Sequence, residues 1–289
     1  MIFADLPTVE GVEHREVRLP QVRLHLAEAG SGSPLLLLHG WPQHWWCWRE
    51  LIPRLARDYR VLIPDLRGWG WSEAPEGDYA KSTFAADMLA LLDELGLERV
   101  RIIGHDWGGY VAFLLALEHP DCVERMVALD IVPPWPGRPR RPHIALPSLL
   151  SYQVPVAIPG FGPQLMTTSH RFIRTIIRVG SGSAKQWSDE ELDVYARRLR
   201  EPSRARASSA CYRTFLRREL ATTMRDGHRA SDLTVSTLLV MGSASILQHA
   251  LDSRTTPNLR VEWIENAGHF LPEEASSQVL DLAIPFLAG

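Results

Sequence analysis

Three cysteines, Cys47, Cys122 and Cys211, are all the chain holds in 289 residues, and they are odd in number, widely spaced and without a C-x-x-C pair. A disulfide framework and a thiolate metal site are thereby excluded; the pattern reads as free, mostly buried thiols in a reducing compartment. No apolar run approaches the roughly 20 residues that a membrane-spanning helix needs, and the segment from Met1 to Gly11 carries acids and no apolar stretch of the secretory kind. The expectation is a cytoplasmic protein with no membrane span. Walker and Rossmann glycine patterns are missing, as is any metal-ligand spacing of His, Cys, Asp and Glu, so neither a cofactor nor a metal is expected. There is no internal repeat and no low-complexity tract.

Net charge is also small, −3, but it hides an asymmetry. Between 134 and 232 there are 17 Lys/Arg against 8 Asp/Glu, and in the remainder 14 against 26. A basic module invites a nucleic-acid reading. Here the arginines follow helical patterns interleaved with glutamate, as in Arg197-Arg198-Leu199-Arg200-Glu201, which is how a solvated helix face looks. No nucleic-acid partner is expected. With 45% hydrophobic and 22% charged residues, the chain is long and apolar enough for one large α/β domain carrying an inserted subdomain.

What is present begins with Val100-Arg101-Ile102-Ile103-Gly104-His105-Asp106-Trp107-Gly108-Gly109-Tyr110, a buried strand running into a helix through a sharp turn. Glycines at 104, 108 and 109 suit such a turn, where strand and helix backbones approach closely. The pattern is the nucleophile elbow G-x-S-x-G with Asp106 in the serine's place; alone, it also fits a buried acid capping the following helix. Around it the chain alternates strand and helix. His14 to Ala29 reads as an edge hairpin, and Pro34 to Gly40 as a strand buried on both faces. Arg60 to Asp65 is a second such strand, Ser82 to Leu95 a helix, and Val123 to Leu129 a strand ending at Asp130. From Ile131 the alternation gives way to helical periodicity broken by proline and glycine, with a capping box at Ser188-Asp189-Glu190-Glu191. Strands resume at Ser236 to Gly242 and Leu259 to Ile264, before a last helix near Glu274 to Phe286. The expected organisation is an α/β core over 1–133 and 233–289, interrupted by a helical cap over 134–232.

Four motifs, His39-Gly40-Trp41-Pro42, Asp65-Leu66-Arg67-Gly68-Trp69-Gly70-Trp71-Ser72, Gly104-His105-Asp106-Trp107-Gly108-Gly109 and Gly268-His269-Phe270, stand in the order and spacing of α/β-hydrolase-fold epoxide hydrolases, which the chain resembles over nearly its whole length. The resemblance implies a mostly parallel, twisted, eight-stranded sheet with a helical cap after the sixth strand. It also implies Asp106 as nucleophile and His269 as the base that activates water. A carboxylate attacks saturated carbon to form an alkyl ester, so an epoxide or a haloalkane fits Asp106 better than a peptide. The backbone N–H groups of Trp41 and Trp107 fall where the fold builds its oxyanion hole, and His39 takes a structural role. Tyr152 and Tyr212 match the two cap tyrosines that help an epoxide oxygen leave; Tyr195 matches neither and reads as structural.

The acid that should orient His269 is the exception. In most epoxide hydrolases it follows the first strand after the cap, where this chain has Ser245. Asp130, at the end of the strand after the elbow helix, is taken as its replacement, because some relatives carry their acid there; Asp252 is the alternative. The expected reaction is hydrolysis of a small hydrophobic epoxide by water, to a vicinal diol. The alternatives are a haloalkane dehalogenase built on the same nucleophile and a degenerate homologue kept for ligand binding. Dehalogenation of a haloacid fits less well, because the arginines expected beside the nucleophile are here Trp107 and Tyr110. The substrate's identity is not written in the sequence, and a homo-oligomer is left open.

Overall fold

The computed structural model describes residues 5–137, 141–251 and 256–289. Its centre is a single sheet of eight strands in the order β1-β2-β4-β3-β5-β6-β7-β8. The strands are β1 (Glu13–Arg18), β2 (Arg23–Ala29), β3 (Ser33–Leu38), β4 (Tyr59–Pro64), β5 (Val100–His105), β6 (Val123–Leu129), β7 (Thr237–Gly242) and β8 (Leu259–Ile264). The hairpin β1-β2 is antiparallel and joins β4 antiparallel; from β4 onward every pairing is parallel. The leucines of β3, Leu35 to Leu38, are fully buried, as a continuous apolar run in a doubly covered parallel strand requires.

The helices are α1 (Ile52–Leu55), α2 (Lys81–Glu94), α3 (Trp107–Glu118), α4 (Pro142–Ala157), α5 (Phe161–Thr168), α6 (His170–Gly180), α7 (Asp189–Leu199), α8 (Pro202–Thr214), α9 (Leu220–Asp226), α10 (Leu271–Glu274) and α11 (Ser276–Ala288). Among the described residues only helices and loops lie between β6 and β7, so the cap's helices, α4 to α9, enter after the sixth strand. The capping box at Ser188 and Glu191 is present. The expected last helix is α11, and a short further helix, α10, precedes it, the two separated by Ala275 at φ −144° and ψ 39°.

The cap's arginines are not simply a solvated face. Arg198 and Arg204 both donate to the Gly70 carbonyl of the core, at 2.8 and 3.1 Å, and the Arg198 guanidinium lies 4.4 Å from the Trp71 ring centroid. Arg174 and Arg178 pair with Asp193 and Asp189 within the cap. Some of the cap's arginines thus serve docking and internal pairing, a use that helical periodicity alone does not reveal.

Register decides where the site forms. His105 pairs with Leu129 and Leu129 with Val240, so β5, β6 and β7 end side by side, and a ligand crevice is expected outside the carboxyl ends of such strands. Asp106 N donates to Leu129 O and Asp130 N to Val240 O, which fixes both carboxylate-bearing residues at the sheet's rim.

Candidate active site

Asp106 stands on the turn between β5 and α3 with φ 49° and ψ −124°, a conformation that costs a non-glycine residue about 1–3 kcal/mol. The turn forms because α3 packs directly on the sheet: a Cβ at Gly108 would overlap the Leu38 carbonyl of β3. The carboxylate is then held from the next strand end. Asp106 Oδ2 accepts the Trp41 N–H at 2.8 Å, and a Cβ at Gly40 would fall on the Asp106 side chain, so only glycine lets this loop come so near. Burial raises the Asp106 pKa; the charge of His269 and the amides of Trp41 and Trp107 oppose it without cancelling it.

His269 follows β8. Its Nδ1 lies 2.7 Å from Asp130 Oδ2, and its Nε2 lies 3.7 Å from Asp106 Oδ1. Burial disfavours the imidazolium, but the hydrogen bond with Asp130 and the charges of Asp106 and Asp130 outweigh it, and the His269 pKa is raised. Asp130, itself at φ 43°, is fully buried and accepts two further hydrogen bonds, from Gly242 N at 3.1 Å and from Ser245 Oγ at 2.6 Å. Ser245 and His269 thus meet on one oxygen of Asp130. Asp252 lies outside the described residues.

Tyr152 on α4 and Tyr212 on α8 converge from the cap. Their rings meet edge to face with centroids 5.9 Å apart. Trp41 stacks on Tyr152 at 6.0 Å and meets Tyr212 at 5.1 Å, while Trp107 lies 5.7 Å from Tyr212. Burial is the main reason that the Tyr152 phenol is pushed up to about 12, with the Asp106 charge adding to it; the Tyr212 phenol is also raised, by burial, Tyr152 and Asp106. Both phenols thus stay protonated at neutral pH. The indole N–H groups of Trp41 and Trp107 are buried and complete no hydrogen bond, although Trp107 is near enough to Tyr212 to oppose the rise of its pKa.

His39 and Tyr195 lie outside this cluster. His39 is buried between Gly40 O and Leu66 N, each 3.0 Å away, where it braces the loop. Tyr195 packs its ring against His44 and Trp46. A surface cleft of about 740 Å³ bordered by Glu50, Lys185, Glu273 and Ser276 lies at the seam of cap and core, and none of Asp106, His269, Tyr152 or Tyr212 borders it.

Two supports escaped the sequence reading. Glu274 gathers the loop around His269 by accepting from Gly268 N, Phe270 N and, across the seam, Gly182 N of the cap. His105 Nε2 lies 2.8 Å from His269 O, and His269 N donates to Gly180 O of the cap at 2.7 Å. An acid five residues past the histidine was a visible signal for the first; nothing local announced the second.

Residues 33–276 match the family model for the alpha/beta hydrolase fold. The soluble epoxide hydrolase of Corynebacterium sp. (strain C12) is 33% identical over 295 residues, covering 96% of this chain and 98% of that protein. The fluoroacetate dehalogenase of a Burkholderia species is 43% identical over 131 residues, 44% of this chain and 43% of that one. The solved structure of epoxide hydrolase CorEH without ligand aligns with a TM-score of 0.84 at 32% identity, covering 96% of this chain and 99% of that one.

Proposed function

The chain belongs to the α/β-hydrolase-fold family, among the epoxide hydrolases, and from that premise we propose that it opens an epoxide to a vicinal diol through an ester on Asp106. The observation that carries this reading is what surrounds one carboxylate: an amide on Oδ2, an imidazole 3.7 Å from Oδ1, and two protonated phenols close enough to feel its charge. With Oδ2 held by Trp41 N, Oδ1 is the free oxygen. It attacks a ring carbon, the C–O bond of the ring breaks, and the oxygen that leaves takes a proton from Tyr152 or Tyr212, giving a hydroxyalkyl ester. General-acid help of this kind is worth about 10²–10⁴-fold.

In the second half His269 Nε2 takes a proton from water, and the hydroxide adds to the ester carbonyl carbon. Negative charge gathers on Oδ2, where the amides of Trp41 and Trp107 receive it; a single such donor is worth about 3 kcal/mol elsewhere. Asp130 holds the imidazolium through Nδ1. Collapse breaks the bond between the acyl carbon and Oδ1, and the departing alkoxide takes the proton held by His269. The new carboxyl of Asp106 gives its proton back to the phenolate left by ring opening, and the diol leaves with the enzyme's oxygen. The net reaction is epoxide plus water to diol.

Single-turnover hydrolysis of an aryl epoxide in ¹⁸O-labelled water tests this. The first-turnover diol should carry unlabelled oxygen from Asp106, with label appearing in the carboxylate; label in that first diol would reject the ester route.

A second reading, displacement of halide from a haloalkane, has one observation in its favour: the buried indole N–H groups of Trp41 and Trp107 could receive a departing anion. It leaves the two phenols without a task. Halide release measured beside diol formation separates the two. Retention for ligand binding alone draws on the missing acid at Ser245, and the 2.7 Å contact of Asp130 with His269 argues against it.

A further inference from the structure

Lys81 is one of only two lysines in the chain and is fully buried at the start of α2, beneath the cap. Its ammonium lies 2.6 Å from Glu219 Oε2 and 3.4 Å from the Cys211 carbonyl, and 4.5 and 5.3 Å from the ring centroids of Trp107 and Phe215. The other oxygen of Glu219 accepts the Lys81 N–H at 2.7 Å. This amide belongs to the first turn of α2, whose N-cap, Ala80, offers no side-chain acceptor, so a cap residue closes a core helix from outside.

The helix that carries Tyr212 changes pitch just past it. From α8 the chain runs on through a π-helical turn, Phe215–Glu219, into α9, and Leu220 N donates to Phe215 O five residues back. Such turns change which way the neighbouring side chains point and recur at functional sites. Lys81 grips both ends of this one, Cys211 O ahead of it and Glu219 at its close. Phe215, at its start, packs on Trp107 with centroids 4.8 Å apart.

We propose that Lys81, paired with Glu219, is a positioning residue for ring opening: it locks the π turn and thereby holds the Tyr212 phenol and the Trp107 ring beside Asp106. A buried ion pair adds little stability over an apolar pair of the same volume, and its best-attested use is to fix one packing arrangement. Here the arrangement fixed is that of one cap helix against one core helix. The proposal rests on the reading of Tyr212 as a proton donor, and it separates the two chemical steps. Alkylation of Asp106 depends on where the Tyr212 side chain stands, whereas hydrolysis of the ester depends on His269, Asp130 and the backbone amides of Trp41 and Trp107. Lys81 meets Trp107 at its ring, and the amide of that residue is fixed by the elbow.

The test is rapid-quench measurement of alkylation and of ester hydrolysis, with an aryl epoxide, in wild type, Lys81→Met, Tyr212→Phe and the double variant. A misplacement of the order of 1 Å costs about 10²-fold, so Lys81→Met should slow alkylation by up to that factor while ester hydrolysis stays within about twofold. In the Tyr212→Phe background it should add nothing, because residues that act through one another are not additive. Glu219→Gln, which keeps the side chain's shape, should slow the same step by less, and it carries the test should Lys81→Met not fold. Equal slowing of both steps, or full additivity with Tyr212→Phe, would overturn the proposal. So would alkylation at the wild-type rate in both variants while Tyr212→Phe is slow. Absence of an Asp106 ester in wild type would instead overturn the reading of the function on which it rests.

Discussion

Replacing Asp130 by Asn changes one atom and should stop the proposed reaction halfway. Asp130 Oδ1 accepts from Gly242 N, while Oδ2 accepts from His269 Nδ1 and Ser245 Oγ. An amide in this place has one oxygen and one donor. If the oxygen faces Gly242 N, every bond can be made: the NH₂ donates to His269 Nδ1 and to a rotated Ser245 hydroxyl. If the amide is reversed, its NH₂ meets the Gly242 N–H and two buried donors oppose each other, at about 1–3 kcal/mol. The first orientation therefore dominates by about 5- to 150-fold. It forces the tautomer in which His269 Nδ1 is bare and Nε2 carries the proton, which cannot take one from water. The corresponding change in a serine protease triad costs about 10⁴-fold. Ring opening uses Asp106 and the tyrosines, and should stay within about threefold of wild type, given the small share expected of the acid in that step. Asp130→Asn should consequently accumulate the ester, seen by intact-protein mass spectrometry as one substrate mass per chain, with hydrolysis down by about 10³–10⁴-fold. Asp252→Asn should turn over like wild type. Normal turnover of Asp130→Asn, together with ester trapped by Asp252→Asn, would refute the assignment of the acid.

Tyr152→Phe and Tyr212→Phe should each slow alkylation, and the double variant should fall by the full general-acid factor of about 10²–10⁴; rapid-quench kinetics showing the native rate in the double variant would remove the phenols from the mechanism. Because the His269 pKa is raised and the ring must be neutral to accept a proton, ester hydrolysis should fall as pH drops through that value. Alkylation removes the Asp106 charge that helps to raise it, so the acid limb of ester hydrolysis should lie below the pKa of His269 in the free enzyme, titrated by NMR; a limb at or above that pKa would contradict this. Asp106→Gly should abolish activity yet raise the melting temperature. It releases about 1–3 kcal/mol of backbone strain and a buried carboxylate, against an entropic penalty of about 0.5–1 kcal/mol for glycine; scanning calorimetry showing a lower melting temperature would contradict that balance.

The elbow, the apolar strands and the histidine loop were legible because each is a local pattern: glycines where backbones touch, leucines where a strand is covered on both faces, Gly-His-Phe after the last strand. The place of Asp130 was legible from the resemblance and from topology, since parallel strands with aligned ends bring 106 and 130 to one rim although 24 residues separate them. What the sequence concealed was pairwise and distant. Ser245 looked like a missing acid, yet its hydroxyl donates to Asp130, a carboxylate from the end of another strand. Lys81 and Glu219 lie 138 positions apart, and neither has a neighbour that marks it. The π turn has the composition of an ordinary helix. The arginines read as a solvated face include two that hold the cap to Gly70, because periodicity says which side of a helix a residue occupies and not what that side meets.

The two strained acids and the histidine between them would let one site serve the two opposed steps of the proposed mechanism. Both Asp106 and Asp130 sit at positive φ at neighbouring strand ends, each backbone pinned by an N–H bond to the adjacent strand. The sheet holds two carboxylates around one imidazole, where they would not gather unaided. Asp130 raises the Asp106 pKa, adding to burial, while His269 lowers it; Asp106 and Asp130 both raise that of His269 against burial. In the free enzyme the charge of Asp106 thus favours a proton on the imidazole, and the imidazolium in turn favours the charged form of Asp106. In the proposed mechanism, esterification of Asp106 would remove one of the charges supporting the imidazolium, those of Asp130 and Glu274 remaining, and the imidazole would give up its proton more readily. On the proposed mechanism the ester would thus produce the neutral base that its own hydrolysis needs, while Asp130, tied to Gly242 and Ser245, would keep that base oriented after the Asp106 charge has gone.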